Sequence, residues 1–194
     1  MQETEERILH FLIHSGRITE EDKDVYRYAL QSVWILGGNI VTSLFIGILL
    51  GHLGYCLLLL LALILLRSDA GGYHAPNVWQ CYFMSCGVLV AALLWIRAQI
   101  PFQTEITVFF AAVSFFFVFR FAPLAAENKP LDERERQIIG RRARITLVLE
   151  LVAGLLCLGV DQKAAYSILS AIIWCGVGYA GWFLEKYVQR RGCE

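Results

Sequence analysis

The chain has 194 residues, 57% of them hydrophobic and 18% charged, with a formal net charge of zero. That total hides long stretches without any formal charge, at residues 28–66, 70–96 and 164–184. A water-soluble domain would place charges in such stretches to hydrate its outer faces. About 20 consecutive apolar residues are enough for a helix to cross a membrane. The composition therefore excludes an ordinary soluble domain and predicts an all-α, polytopic integral membrane protein.

The N-terminal segment is polar and acidic. Seven acidic residues fall within the first 27, which argues against a cleaved secretory signal. Ile8, Phe11 and Leu12 recur at helical spacing and predict a short amphipathic helix. Thr19 followed by Asp22 resembles a capping box, so a second helix is expected to begin there and to run into the first span.

Six transmembrane spans are expected, and turns that contain glycine or proline separate the first four. The second span is short, so a four-span arrangement with re-entrant segments stays open. The organisation is a segment at 1–31, a transmembrane domain at 32–184 and a tail at 185–194. The spans are placed at residues 32–50, 53–67, 79–97, 102–121, 144–160 and 164–184.

The basic residues are distributed unevenly between the two membrane faces. With six spans, 15 of the 17 Lys and Arg residues fall on one face, and only Arg97 and Lys163 fall on the other. The positive-inside rule assigns the basic face to the cytosol. Both termini and the 67–81 segment are therefore expected on the cytosolic side.

Residues 67–81 form a polar, glycine-containing patch between two strongly apolar stretches. The patch contains His74 and Cys81. A cysteine and a histidine are the smallest set of side chains for nucleophilic acyl transfer, because the imidazole can take the thiol proton. On one continuous helix their seven-residue spacing would hold them about 10.5 Å apart. Contact therefore requires a break, which Gly71-Gly72 and Pro76 supply. We expect the third span to open near Pro76, with His74 folding back towards Cys81.

Other side chains of this patch are candidates for supporting roles. Asp69 or Asn77 would orient the imidazole, and Gln80 or backbone amides would stabilise an oxyanion. The plain alternative is a simple interhelical loop with Arg67 as its topological anchor.

Several other chemistries lack their motifs. There is no His-Glu-x-x-His or Cys-x-x-Cys, so neither a metal site nor a cofactor is predicted. A Gly-x-Ser-x-Gly elbow and a phosphate-binding glycine loop are also absent. The aromatic residues belong to the spans and their interfaces, so nucleic acid is not expected as a partner.

Two patches of the sequence match the pattern of a known family. The first consists of Arg67, Gly71, Gly72, His74, Ala75 and Cys81. The second, Ala122-Pro123 with Glu127-Asn128-Lys129-Pro130, precedes a basic stretch. In these patches the sequence resembles the accessory gene regulator B (AgrB) peptidases of bacterial quorum sensing. Size, span number and the N-terminal amphipathic segment agree as well, so the resemblance covers essentially the whole chain.

The resemblance implies a thiol protease of the bacterial cell membrane that cuts a precursor peptide of the AgrD type on its C-terminal side. Cys81 would hold the product as a thioester, with His74 as base and then acid. Cyclisation would give a thiolactone or lactone autoinducing peptide. The resemblance also implies a homodimer.

The basic stretch at 129–144 has two interpretations. It is either a solvated, topology-setting face near anionic membrane lipids or a surface that recruits an acidic precursor tail. Glu150, inside the fifth predicted span, either pairs with a basic residue or contacts the substrate. The substrate-binding candidates are thus Lys129, Arg141, Arg142, Arg144 and Glu150.

Two non-enzymatic functions compete with the peptidase. A small-solute transporter would show two related halves with broken helices, and the sequence has no convincing internal repeat. A membrane scaffold would not need the polar 67–81 patch.

Overall fold

The computed structural model describes residues 2–16, 18–20, 22–71, 78–124 and 132–191. These residues form seven α-helices, which confirms the all-α prediction. The chain divides into two compact units, residues 1–43 and 44–194, with the division inside α2. The helices are α1 (Gln2–His14), α2 (Lys23–Leu49), α3 (Leu53–Ala70), α4 (Val78–Arg97), α5 (Gln103–Phe121), α6 (Glu133–Cys157) and α7 (Gln162–Arg191).

The first unit contains the predicted N-terminal helix and the start of α2. The Arg27 guanidinium donates to the Glu6 carboxylate at 2.7 Å, and Lys23 lies 3.7 Å from the same group. This hydrogen bond from Arg27 holds the pKa of Glu6 below its usual value. The predicted cap is half formed, since the Asp22 carboxylate accepts from the Thr19 amide and hydroxyl. The first full turn of α2 nevertheless begins at Lys23, four residues after the predicted start.

Four described helices are long and apolar enough to cross a membrane: Leu53–Ala70, Trp79–Arg97, Gln103–Phe121 and Gln162–Val188. A shorter apolar helical stretch lies at Val33–Leu49. Large apolar side chains stay exposed on these helices, for example Phe109 at 63% and Phe116 at 70% on α5. Lipid would cover such side chains, and the protein is a multi-pass membrane protein.

Three predicted spans after the first differ by three or more residues from the observed helices. The sixth, expected at 164–184, continues as α7 to Arg191. The second continues beyond residue 67 to Ala70, and its 18 residues give a length of about 27 Å, close to that of the hydrocarbon core. The fifth was expected at 144–160, but α6 begins at Glu133 and ends at Cys157. The capping box of Asp132 and Glu135 starts α6 within charged sequence, which a search for uncharged runs does not detect.

Helix α7 is central to the second unit, where it contacts α3, α4, α5 and α6. Small residues allow these close contacts, as expected between helices in membranes. A Cβ on Gly176 would lie 2.6 Å from Ser114 on α5, and one on Gly154 would lie 2.7 Å from Leu169. One buried cluster joins α7 to α3, α5 and α6, and a second joins it to α3 and α4.

The turn from α6 to α7 is fixed by Asp161. Its carboxylate accepts from the amides of Lys163 at 2.9 Å and Ala164 at 3.3 Å. The Tyr55 hydroxyl on α3 donates to it at 2.9 Å. Burial acts to raise the pKa of Asp161, but these hydrogen bonds outweigh it and leave the pKa below its usual value. The Asp161 side chain thus caps the start of α7 and links it to α3.

Candidate active site

Cys81 lies in the first turn of α4, which begins at Val78. The residue is half-buried, and its carbonyl accepts a hydrogen bond from the Ser85 hydroxyl at 2.9 Å. Gln80, the predicted oxyanion donor, is exposed beside it. The positive end of a helix dipole favours an anion, so this position suits a thiolate.

The C-terminal end of α3 carries the other described residues of the polar patch. Arg67 is exposed in the last turn, and Asp69 is half-buried. Gly71 ends the helix with φ 74° and ψ −158°, and its amide donates to the Arg67 carbonyl at 3.1 Å. A Cβ at Gly71 would lie 2.5 Å from the Leu124 carbonyl oxygen. Both the backbone conformation and the close contact therefore require glycine here.

The two patches that carry the family resemblance meet at this point. The Leu124 amide donates to the Ala70 carbonyl at 3.0 Å, and the buried Tyr179 hydroxyl of α7 donates to the same oxygen. Pro123 packs against Gly140 of α6, where an added Cβ would lie 3.0 Å from the proline ring. The end of α3 is thereby held by the segment after α5 and by α7.

Arg144 has a structural role beside this junction. The half-buried side chain donates to the carbonyls of Phe119 at 3.2 Å and Ala122 at 3.4 Å, and it lies over the Phe119 ring. It therefore caps the C-terminal end of α5, where helix carbonyls lack partners. By contrast, Arg141 and Arg142 are exposed on α6.

Glu150 is buried inside the second unit. It is 7% exposed, and among the described residues neither of its carboxyl oxygens has a hydrogen-bond partner. Burying such a group without a partner is costly, so Glu150 is an unused hydrogen-bonding group inside the helix bundle.

The remaining predicted residues, His74, Asn77 and Lys129, lie outside the described residues. The pairing of His74 with Cys81 therefore stays a prediction. Sequence reasoning missed Tyr179, although a tyrosine within an apolar span signals a hydroxyl that needs a partner. Within the described ranges, no group of three His, Cys, Asp or Glu side chains is placed to hold a metal ion.

Comparison with known proteins identifies the family. The model of the family Accessory gene regulator B matches residues 5–178. The chain is similar to Protein FsrB of Enterococcus faecalis, with 25% identity over 142 residues that cover 72% of the chain and 57% of that protein. It is also similar to a putative AgrB-like protein of Clostridium perfringens, with 24% identity over 162 residues that cover 79% of the chain and 75% of that protein.

The chain thus spans little more than half the length of FsrB. No solved structure matches it. The family match covers most of the residues and includes both patches that meet at the end of α3. The chain belongs to the accessory gene regulator B family.

Proposed function

We propose that the protein is a membrane-embedded cysteine endopeptidase that cuts a small precursor peptide of the AgrD type and promotes its cyclisation for quorum sensing. The observation that supports it best is the contact between Ala70-Gly71 and Leu124, which joins the two family-like patches. The end of α3 is fixed there, and Cys81 stands in the first turn of α4, the next helix in the sequence.

The proposed reaction is an acyl transfer in two steps. The Cys81 thiolate attacks the scissile carbonyl after His74 has taken the thiol proton. The C–N bond breaks as His74 returns the proton to the leaving amine, which leaves a thioester on Cys81. A thiol or hydroxyl of the precursor then attacks this thioester, and its proton passes through His74 back to the Cys81 sulfur. The product is a thiolactone or lactone ring.

Substrate recognition is assigned to two regions. Arg141 and Arg142, exposed on α6, and Lys129 would attract an acidic precursor tail. Arg144 is also a candidate, although its guanidinium already holds the end of α5. Glu150 would accept a hydrogen bond from a donor group of the bound precursor, which would satisfy its unpartnered carboxylate.

The proposed setting is the bacterial cell membrane, with the active site and both termini in the cytosol. The uneven distribution of Lys and Arg supports this orientation. Family membership supports a homodimer as the active form.

Co-expression with a candidate precursor peptide of the AgrD type tests the function. Mass spectrometry should find a cleaved, cyclised product with the unchanged protein and with Cys86→Ala, a second half-buried cysteine on α4. Cys81→Ala should insert into the membrane at the same level and yield no product. A processed peptide from cells carrying Cys81→Ala would contradict the proposal.

The role of Glu150 has a separate test. Glu150→Gln keeps the side-chain volume but replaces the carboxyl by an amide, and we expect a higher KM for the precursor. The matched control is Glu105→Gln, an exposed glutamate in the first turn of α5. Equal KM values for the two variants and the unchanged protein would remove Glu150 from the binding site.

A further inference from the structure

A second candidate site lies at the opposite end of the second unit from Cys81. A cavity of about 580 Å³ opens there between the end of α2, the turn before α3, the end of α4 and the start of α7. Its polar lining includes the side chains of His52, Arg97, Gln99 and Lys163. Arg97 ends α4, so it lies about 24 Å from Cys81 along the helix axis.

The charge of this cavity is positive. Arg97 and Lys163 are the only two basic residues that the six-span count leaves on this membrane face, and both line the same cavity. None of the described residues that line it carries a carboxylate. Among the described residues, neither cation forms an ion pair.

Asp161 is the nearby acid, and its charge acts on Lys163. One of its oxygens accepts from Tyr55, and the other accepts from two backbone amides at the start of α7. This carboxylate is therefore already engaged by the α6–α7 turn. Asp161 offsets part of the Lys163 charge, whereas Arg97 has no ion-pair partner among the described residues.

We propose that this cavity binds a phosphate-bearing anion, supplied by the headgroup of an anionic phospholipid. The helix ends that form the cavity mark the membrane surface, where lipid phosphates lie. Arg97 and Lys163 both line this cavity, and guanidinium and ammonium groups both donate charge-assisted hydrogen bonds to phosphate. Gln99 and His52 offer further donors for phosphate or glycerol oxygens. The proposal rests on the membrane fold and not on the peptidase activity.

The test is ligand-dependent thermal unfolding of the purified full chain in a neutral detergent. Short-chain phosphatidylglycerol and inorganic phosphate are titrated separately. The test variant combines Arg97→Gln with Lys163→Gln. The control combines Lys186→Gln with Arg191→Gln, which removes the same charge at the other end of α7.

We expect phosphatidylglycerol to raise the unfolding midpoint of the unchanged protein and of the control at similar concentrations. The test variant should need at least about tenfold more lipid, because two charge-assisted contacts are lost. Lys163→Arg, which keeps the charge, should bind like the unchanged protein. A second outcome is that inorganic phosphate alone raises the unfolding midpoint of the unchanged protein but not that of the test variant. That result would support the anion site, with free phosphate instead of a lipid headgroup as the ligand.

Equal lipid responses in the unchanged protein and the test variant would overturn the proposal. If the double variant does not fold, the lipid response of Lys163→Gln alone is compared with that of the unchanged protein. Precursor processing by Lys163→Gln should be unchanged, so failure of this proposal and failure of the peptidase proposal are distinguishable.

Discussion

Gly71→Ala is a sharp test of the junction at the end of α3. Gly71 has φ 74° and ψ −158°, a region of backbone space that is essentially restricted to glycine. The new methyl would also lie 2.5 Å from the Leu124 carbonyl oxygen, which belongs to backbone and cannot rotate away. The backbone strain costs about 1–3 kcal/mol and the overpacking a further ~1–3 kcal/mol, so we expect a loss of about 2–6 kcal/mol.

The assay is unfolding of the purified protein in mixed detergent micelles, together with precursor processing in cells. Gly87→Ala is the matched control, because a Cβ at Gly87 in α4 meets no atom within 4 Å. We expect it to be neutral or to stabilise α4 by up to about 1 kcal/mol. Gly71→Ala should unfold earlier and process less precursor. If it matched Gly87→Ala in both measurements, the contact with Leu124 would not hold the site.

Three further predictions concern charged groups. Arg144→Gln should destabilise the protein by about 1–3 kcal/mol in the same unfolding assay, because the carbonyls at the end of α5 lose their donor, whereas Arg141→Gln should stay within about 0.5 kcal/mol. Asp161→Ala should cost about 1–2 kcal/mol through the lost cap, and combining it with Tyr55→Phe should cost less than the sum, as a double-mutant cycle would measure. The lowered pKa of Glu6 means that its contacts with α2 are fully present above its ordinary value of 4.5 and are lost as the pH falls through the lowered pKa. The protection factors of the α1 amides should therefore decrease below this pH, and Glu6→Gln should show the decreased protection already at neutral pH; unchanged protection factors would contradict the role of this ion pair.

The limits of the spans are predictable from the sequence where charge marks them. The predicted third span and α4 both end at Arg97, because the uncharged run stops there. Their starts differ by one residue. The start of α6 is not marked by a change from charged to uncharged residues. Its first half is charged and helical, and its start depends on the capping box of Asp132 and Glu135 rather than on hydrophobicity.

The long-range contacts of the candidate site cannot be predicted from the charge pattern of the sequence. Gly71 was expected as a helix break, which it is, but the sequence does not say that it meets Leu124. The hydrogen bond from Tyr179 to Ala70 joins residues that are 109 positions apart. Local periodicity carries no information on such pairs, since they depend on how α3, α5 and α7 pack together. The catalytic pairing of His74 with Cys81 also stays a prediction.

The central proposal is that Cys81 forms an acyl-enzyme. The most direct measurement is intact-protein mass spectrometry after the purified protein is mixed with its precursor under conditions that slow product release. We predict an added mass equal to the N-terminal precursor fragment, mapped to Cys81 and removed by hydroxylamine, because a thioester is the intermediate. The adduct should be absent from Cys81→Ala and present in Cys86→Ala. An adduct on Cys86, or precursor cleavage by Cys81→Ala, would contradict this mechanism.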